Sequence, residues 1–453
     1  MIFGQTVQDL RTDDVRDRPL RRWWNLIVWA YLLLPLFPVF GVAGLFIALV
    51  GVTICCWRPM LQRPLNRGFA LVALLMIVST LLAHRQLESL LGLFNFLPFF
   101  WVFAALAEVI RTPKQLRQLA WVLTLTSIPV VLIGLAQEFL GFGLLWNCGV
   151  VNWMIQVGGN PPGRISSVFV YANVLATYFC FTFAMSLGLW VEAIKTQRVA
   201  VPGLNPWQRY QPWWLGLVVL GNAAALVLTD SRNAWAIALF TIVIFAIYLN
   251  WNWLIAVITA ISTAILVAAF APAPIHSPFR QVVPAAVWMR LNDQLYPNRP
   301  VQDLRITQWQ FAWGMFQQRP IFGWGLRNFT PLYQERYQVY IGHPHNLPLM
   351  LFSETGFLST VLLLGLLAWV GYQGTRLLQT GSSLSIYHQK PRDRLILFVF
   401  LVAFGGYALF NLLDVTLFDV RINLMGWLLP AAIMGLVYQR NDPLGRIEPG
   451  EAG

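Results

Sequence analysis

Residues 345–371 read HNLPLMLFSETGFLSTVLLLGLLAWVG. From Pro348 onward the run carries one charge, Glu354, and its 24 residues would extend about 36 Å as an α-helix, enough to cross the ~30 Å hydrocarbon core of a bilayer. Asn346 is a good helix cap and Pro348 is tolerated in a first turn, so the helix is expected to start here, with His345 just outside it.

Working outward, apolar runs of similar length recur. The segments at about 24–39, 40–57, 68–83, 93–110, 119–138, 166–191, 213–229, 234–249, 253–271, 348–371, 395–412 and 422–438 predict an all-α polytopic membrane protein of about twelve transmembrane helices. Composition agrees: the 453 residues are 57% hydrophobic and 11% charged, with a mean hydropathy of +0.60. The arginines at 11, 16, 18, 21 and 22 run straight into a full-length apolar stretch, which predicts an anchor rather than a cleaved leader. Cys55, Cys56, Cys148 and Cys180 are scattered, without the spacing of a zinc site or a disulfide framework.

Charge sets the expected orientation. With twelve spans, residues 1–23, the loops 58–67, 111–118, 192–212 and 372–394, and the tail after 438 share one side and hold 20 of the 31 Lys and Arg. The positive-inside rule makes that side cytoplasmic and both termini with it. The expected organisation is a cytoplasmic segment 1–23, spans one to nine over 24–271, a large outward loop 272–346, spans ten to twelve over 347–438, and a cytoplasmic tail 439–453. The loop should contain helices near 283–295 and 303–318, the second with Trp309, Trp313 and Phe316 on one face, resting on the membrane or capping the bundle. The net charge of +12 is explained by topology, so nucleic acid is not an expected partner.

All three lysines fall on the cytoplasmic side, so every outward cation is an arginine, whose planar fork suits a phosphate group. Three arginines stand out. Arg164 lies in GGNPPGRISSVFVYANVLATYF, expected to lead directly into a helix; Arg232 lies in the tight turn LVLTDSRNAWAIAL; Arg305 opens RITQWQFAWGMFQQRPIFGWG. Helix amino termini add positive potential beside the first two. Asp230 reads as a helix cap or a partner for Arg232. The positive end of the helix beginning near Asn346 favours an uncharged ring at His345, the form able to accept a proton, which makes it a candidate base. Gly356 and Thr360, four apart with Ser359 beside them, should let another helix pack close. Glu354, expected about two turns into the span, reads either as part of the site or as a structural brace.

HNLPLMLFSETGFLST resembles the signature of the O-antigen ligase and polymerase-like family of polytopic membrane glycosyltransferases: a His-Asn pair, nine residues, then Gly-x-x-Gly-Thr. His345, Asn346, Gly356 and Thr360 match, and Ser359 stands in place of the second glycine. The segments around Arg164, Arg232 and Arg305 resemble the family's other recurring stretches in the same order, so the likeness covers roughly residues 160–375. It implies transfer of a glycan from an undecaprenyl-diphosphate-type lipid to an acceptor hydroxyl on the outer face of a bacterial inner membrane, inverting and without metal or other cofactor. His345 would be the base, Arg164, Arg232 and Arg305 would hold the diphosphate, and Asn346 and Glu354 would complete the substrate site. The acceptor would be a lipid, another glycan or a protein. The alternatives are a repeat-unit polymerase of the same family and a small-anion transporter, since one branch has been linked to bicarbonate accumulation.

Overall fold

The computed structural model describes residues 18–147, 152–198, 206–292, 294, 300–380 and 391–441. Most of the expected amino-terminal segment and carboxy-terminal tail, with Cys148, lies outside these residues. The chain is an all-α polytopic membrane protein. Among the described residues, eleven helical stretches, with 86–109 counting as one, are long and apolar enough to span a bilayer.

The first two helices, α1 (Arg18–Leu33) and α2 (Pro38–Gln62), form a hairpin. Their boundary falls about six residues before the expected one at 39. Pro35 and Pro38 are the reason: neither can donate a helical hydrogen bond, so the chain turns at 34–37 and Pro38 opens the next helix. Helix α1, with 16 residues, is shorter than the eleven and accounts for the difference from twelve. Next come α3 (Pro64–Leu81), the short α4 (Gln86–Leu93), α5 (Leu97–Val109) and α6 (Pro113–Phe139). Helix α6 begins at a capping box in which Thr112 and Gln115 satisfy each other's backbone N–H groups. A hairpin of β1 (Leu144–Asn147) and β2 (Asn152–Ile155), unanticipated from the sequence, follows it.

The remaining spans are α7 (Ala172–Arg198), α8 (Pro206–Leu228), α9 (Arg232–Leu249) and α10 (Asn252–Phe270) before the large loop, and α15 (Leu347–Thr380), α16 (Pro391–Phe410) and α17 (Val420–Asn441) after it. Between the two groups lie α11 (His276–Val282), α12 (Ala285–Leu291), α13 (Arg305–Gln318) and α14 (Phe329–Tyr337). The apolar windows of α7 and α17 are each 89% buried, so these two form the centre of the bundle and the others surround them. Polar contacts tie the interior together: Asn222 Nδ2 on α8 donates to Ser127 Oγ on α6 (2.9 Å), and Thr182 Oγ1 on α7 donates to Asn222 Oδ1 (2.6 Å).

Hydrogen bonds sort the helix ends into two layers. At one end Arg63 pairs with Glu108 (2.7 Å), and Arg117 with Glu192 (2.9 Å) and Asp393 (3.2 Å). At the other, Ser79 meets the 320s segment, Arg164 meets Thr229, Asn233 meets Phe410 and Asn423 meets Asn95. The large loop sits on this second end, hereafter the loop end.

Helix α15 departs from a simple span. Its 34 residues would measure about 51 Å if continuous, and the backbone is broken at Gly356 (φ 76°, ψ −179°). The piece before the break crosses the loop end sideways. Its start is held by Asn411 and Leu412 beyond α16, and the Glu354 carbonyl accepts from Ser79 Oγ near the end of α3. The long straight run of the helix therefore begins after Gly356.

Candidate functional site

The loop ends of the two central helices meet below the histidine segment. Helix α7 starts at Ala172, six residues later than expected, so Arg164 lies in an irregular stretch rather than directly at a helix start. Asn173, in the first turn of α7, and Asp414, in the connection from α16 to α17, link this stretch to His345.

Asp414 is the hub, with its side chain 5% exposed. Its Oδ1 lies 2.9 Å from His345 Nδ1 and accepts the Val415 N–H (2.8 Å), while its Oδ2 accepts from Asn173 Nδ2 (2.6 Å). The Asn173 Oδ1 in turn accepts from the Arg164 guanidinium, whose Nε donates to the Thr229 carbonyl (2.7 Å). One continuous hydrogen-bonded series thus runs from Arg164 through Asn173 and Asp414 to His345. Burial alone would raise the Asp414 carboxyl, but the His345 hydrogen bond, both histidines and the Val415 N–H outweigh it and hold the group well below the usual carboxylate range. An ionised Asp414 accepts Nδ1–H, so the neutral ring of His345 carries its proton there and leaves Nε2 with a free lone pair. That side chain is 29% exposed, so a ligand can reach it.

The local backbone puts the ring in place. His345 has φ 52°, in the left-handed region, where histidine is one of the more tolerant residues. Its N–H donates to His343 Nδ1 (3.1 Å), and the His343 ring stacks on Phe418. Asn346 is the expected cap: Oδ1 accepts the Leu349 N–H (2.8 Å), and Nδ2 donates to the Leu412 carbonyl (2.9 Å). These two bonds hold the helix start against the end of α16. Burial, then His345 and Arg305, push His343 down to about 3 against the opposing pull of Asp414.

The arginines gather partly as expected. Arg232 donates to the Arg290 carbonyl (3.0 Å), and the buried Arg290 pairs with Asp230 (2.8 Å). Asp230 therefore partners Arg290 rather than Arg232. Arg164 is lowered from its ordinary value by burial, opposed by Tyr171, Asp230 and Asp414 and reinforced by Arg290, which places Asp230 and Arg290 within electrostatic reach of it. Arg305, the first residue of α13, is exposed, and its charge is felt at His343.

Two expected site residues lie elsewhere. The buried Glu354 accepts the Phe329 N–H (3.0 Å) at the start of α14 and is engaged by the Arg327 backbone, so it braces the loop to the bundle instead of facing His345. Gly356 gives close approach to a loop rather than to a helix: a Cβ there would lie 2.1 Å from the Ile321 carbonyl oxygen. Thr360 donates back to the Gly356 carbonyl (2.7 Å) and stabilises the break.

Asp414, Asn173 and Arg290 were not singled out in the sequence. Asp414 sits in NLLDVTLFDV between two apolar spans, where a carboxylate with no cation within four residues was the available signal. The nitrogens of His343 and His345 and a carboxylate oxygen of Asp414 lie within 4.8 Å of one another, so among the described residues this set could also hold a metal ion. Its chemistry, two imidazoles and one carboxylate, suits a divalent transition metal as well as a proton relay.

Residues 216–364 match the family model described as O-antigen ligase. The match runs from within α8 into α15 and contains Arg232, Arg305 and His345; Arg164, Asn173 and Asp414 lie outside it. No curated protein matches the chain. The likeness read from the His-Asn signature therefore has a counterpart in a domain match that covers about a third of the chain.

Proposed function

With that domain as premise, we propose that the protein is a membrane glycosyltransferase that moves a glycan from an undecaprenyl-diphosphate-type lipid to an acceptor hydroxyl at the loop end, which faces away from the cytoplasm. The observation that supports the reading is the hydrogen-bonded series Arg164–Asn173–Asp414–His345, which joins a guanidinium to an imidazole whose Nε2 makes no hydrogen bond among the described residues.

In the proposed reaction the acceptor O–H gives its proton to His345 Nε2 while its oxygen attacks the anomeric carbon. The new C–O bond forms as the bond from that carbon to the diphosphate oxygen breaks, and the electron pair leaves with the lipid diphosphate. One displacement inverts the anomeric centre. Asp414 holds the ring in the productive tautomer and stabilises the imidazolium that forms. Arg164, Arg232 and Arg305 oppose the charge developing on the leaving group, in a setting where fixed cations need no reorganisation.

The test uses purified full-length protein with a radiolabelled lipid-linked glycan and membranes carrying the acceptor. His345→Ala and His345→Gln should each lower transfer by about 10²-fold or more, with donor binding retained. Full transfer by either variant would remove the base assignment.

A further inference from the structure

Helices α13 and α14 enclose a half-open cleft of about 550 Å³. We propose that this cleft binds a glycan chain, the acceptor in the transfer reaction; the acceptor role rests on the transferase reading above. Three observations carry it.

The lining is the first. Phe311, Trp324 and Tyr337 supply aromatic surface, while Gln310 and Gln318 supply amides that make no side-chain hydrogen bond among the described residues. Glu335 and Arg336 stand at the rim, Glu335 paired with Arg85 and Arg336 lying over the Tyr337 ring. Apolar ring faces beside donor–acceptor amides match the two sides of a sugar, whose C–H faces are apolar and whose edge carries hydroxyls. An acyl chain would strand these polar groups. An extended peptide would find no sheet edge to pair with, because both walls are helices.

The second is Gly314. It sits midway between Gln310 and Gln318 at spacing i, i+4, i+8, so all three lie on one face of α13. Glycine in a helix interior is destabilising relative to alanine. Packing does not account for it, because a Cβ built there meets nothing within 4 Å. It leaves bare backbone at the wall of the cleft, where a ring-shaped ligand can lie close.

The third is position. Trp309, next to Gln310, donates from its indole N–H to the Pro344 carbonyl (2.9 Å), one residue before His345. Helix α13 begins at Arg305, whose charge reaches His343, and α14 ends at Tyr337, from which the chain leads to the histidine segment. Both walls of the cleft are thus tied to the histidine segment, which puts a glycan held there in the same loop as His345.

The probe is the oligosaccharide mixture released from the host cell envelope by mild acid, titrated against full-length protein in detergent by tryptophan fluorescence and ligand-observed NMR. Gly314→Leu fills the cleft without touching the fold, and Gln310→Ala with Gln318→Ala removes the amides. The expected result is saturable binding by the wild type, weakened at least tenfold by either variant, with thermal stability equal to wild type or higher and a raised acceptor KM at unchanged donor KM. Equal binding by all three proteins, no binding by the wild type, or loss of the binding component on protease treatment of the mixture would overturn the assignment. His345→Ala separates the two readings, since it should bind the oligosaccharides like wild type. Binding that depends on Gly314 without any transfer activity would sink the transferase reading alone. Transfer indifferent to Gly314→Leu would sink the cleft alone.

Discussion

Replacing Asp414 by asparagine changes one charge and almost no volume in the buried hub of the site. The carboxylate now accepts from His345 Nδ1 at 2.9 Å. In Asp414→Asn an amide N–H is able to point at that nitrogen instead, which moves the ring proton to Nε2 and blocks the base. The electrostatic loss is separate. Opposite unit charges about 4 Å apart at an effective dielectric of 20 attract by about 4 kcal/mol, which at 1.36 kcal/mol per decade is about 10³ in rate. Tautomer loss alone has reached about 10⁴ where a comparable aspartate orients a histidine. The expected fall in kcat is therefore about 10³- to 10⁴-fold, with the donor KM within about threefold of wild type because Arg164 keeps its bond to the Thr229 carbonyl. Steady-state transfer from a labelled lipid-linked glycan, followed by chromatography of the product, reads both parameters. Linkage supplies an internal check. A folded-state pKa depressed below the unfolded value stabilises the protein above the ordinary carboxylate range and loses that stabilisation only as pH falls below it. The part of the stability difference between wild type and Asp414→Asn that comes from titration of the carboxylate itself should thus be flat from about pH 5 to 8. A kcat within about threefold of wild type would refute the orienting role.

Gly356→Ala should destabilise the protein by at least about 2 kcal/mol, since the residue has φ 76° and its new methyl would meet the Ile321 carbonyl at 2.1 Å. Gly365→Ala, which meets nothing, is the control in the same thermal melts and should not lower the melting temperature. His343, pushed down to about 3 from 6.5, stays uncharged in the folded state while the unfolded chain takes up a proton. Its contribution is complete above about pH 6.5 and declines below, so melting temperature should drop from pH 7 to pH 5 by up to about 1.4 kcal/mol of stability per pH unit. His343→Asn should flatten that slope; an unchanged slope would place its origin elsewhere. Dialysis against EDTA should leave transfer intact if the arginines alone stabilise the leaving group, whereas loss restored by Zn²⁺ or Mn²⁺ would make His343, His345 and Asp414 a metal site.

Much of this architecture was legible in the chain because a bilayer imposes a simple rule: a segment that crosses it as a helix must be long and apolar. Asn346 was readable as a cap because its bond to the Leu349 N–H is three residues away, within the reach of local geometry. Boundaries were less legible where punctuation competed with hydropathy. Pro35 and Pro38 moved the first turn, and the stretch around Ser167, with φ 50°, delayed α7 to Ala172.

The sequence by itself determined the membrane class, the approximate set of spans and the His-Asn signature. All of these depend on residue type or short spacing. Tertiary structure alone decided that Asp414 belongs to His345, 69 positions away, and that Asn173 couples it to Arg164. It also turned Glu354 from a site candidate into a brace and brought Arg290 beside Asp230, 60 positions distant. The physical reason is that a side chain's partner is set by which helix ends the packing brings together. Hydropathy gives the length of each helix and carries no information about its neighbours.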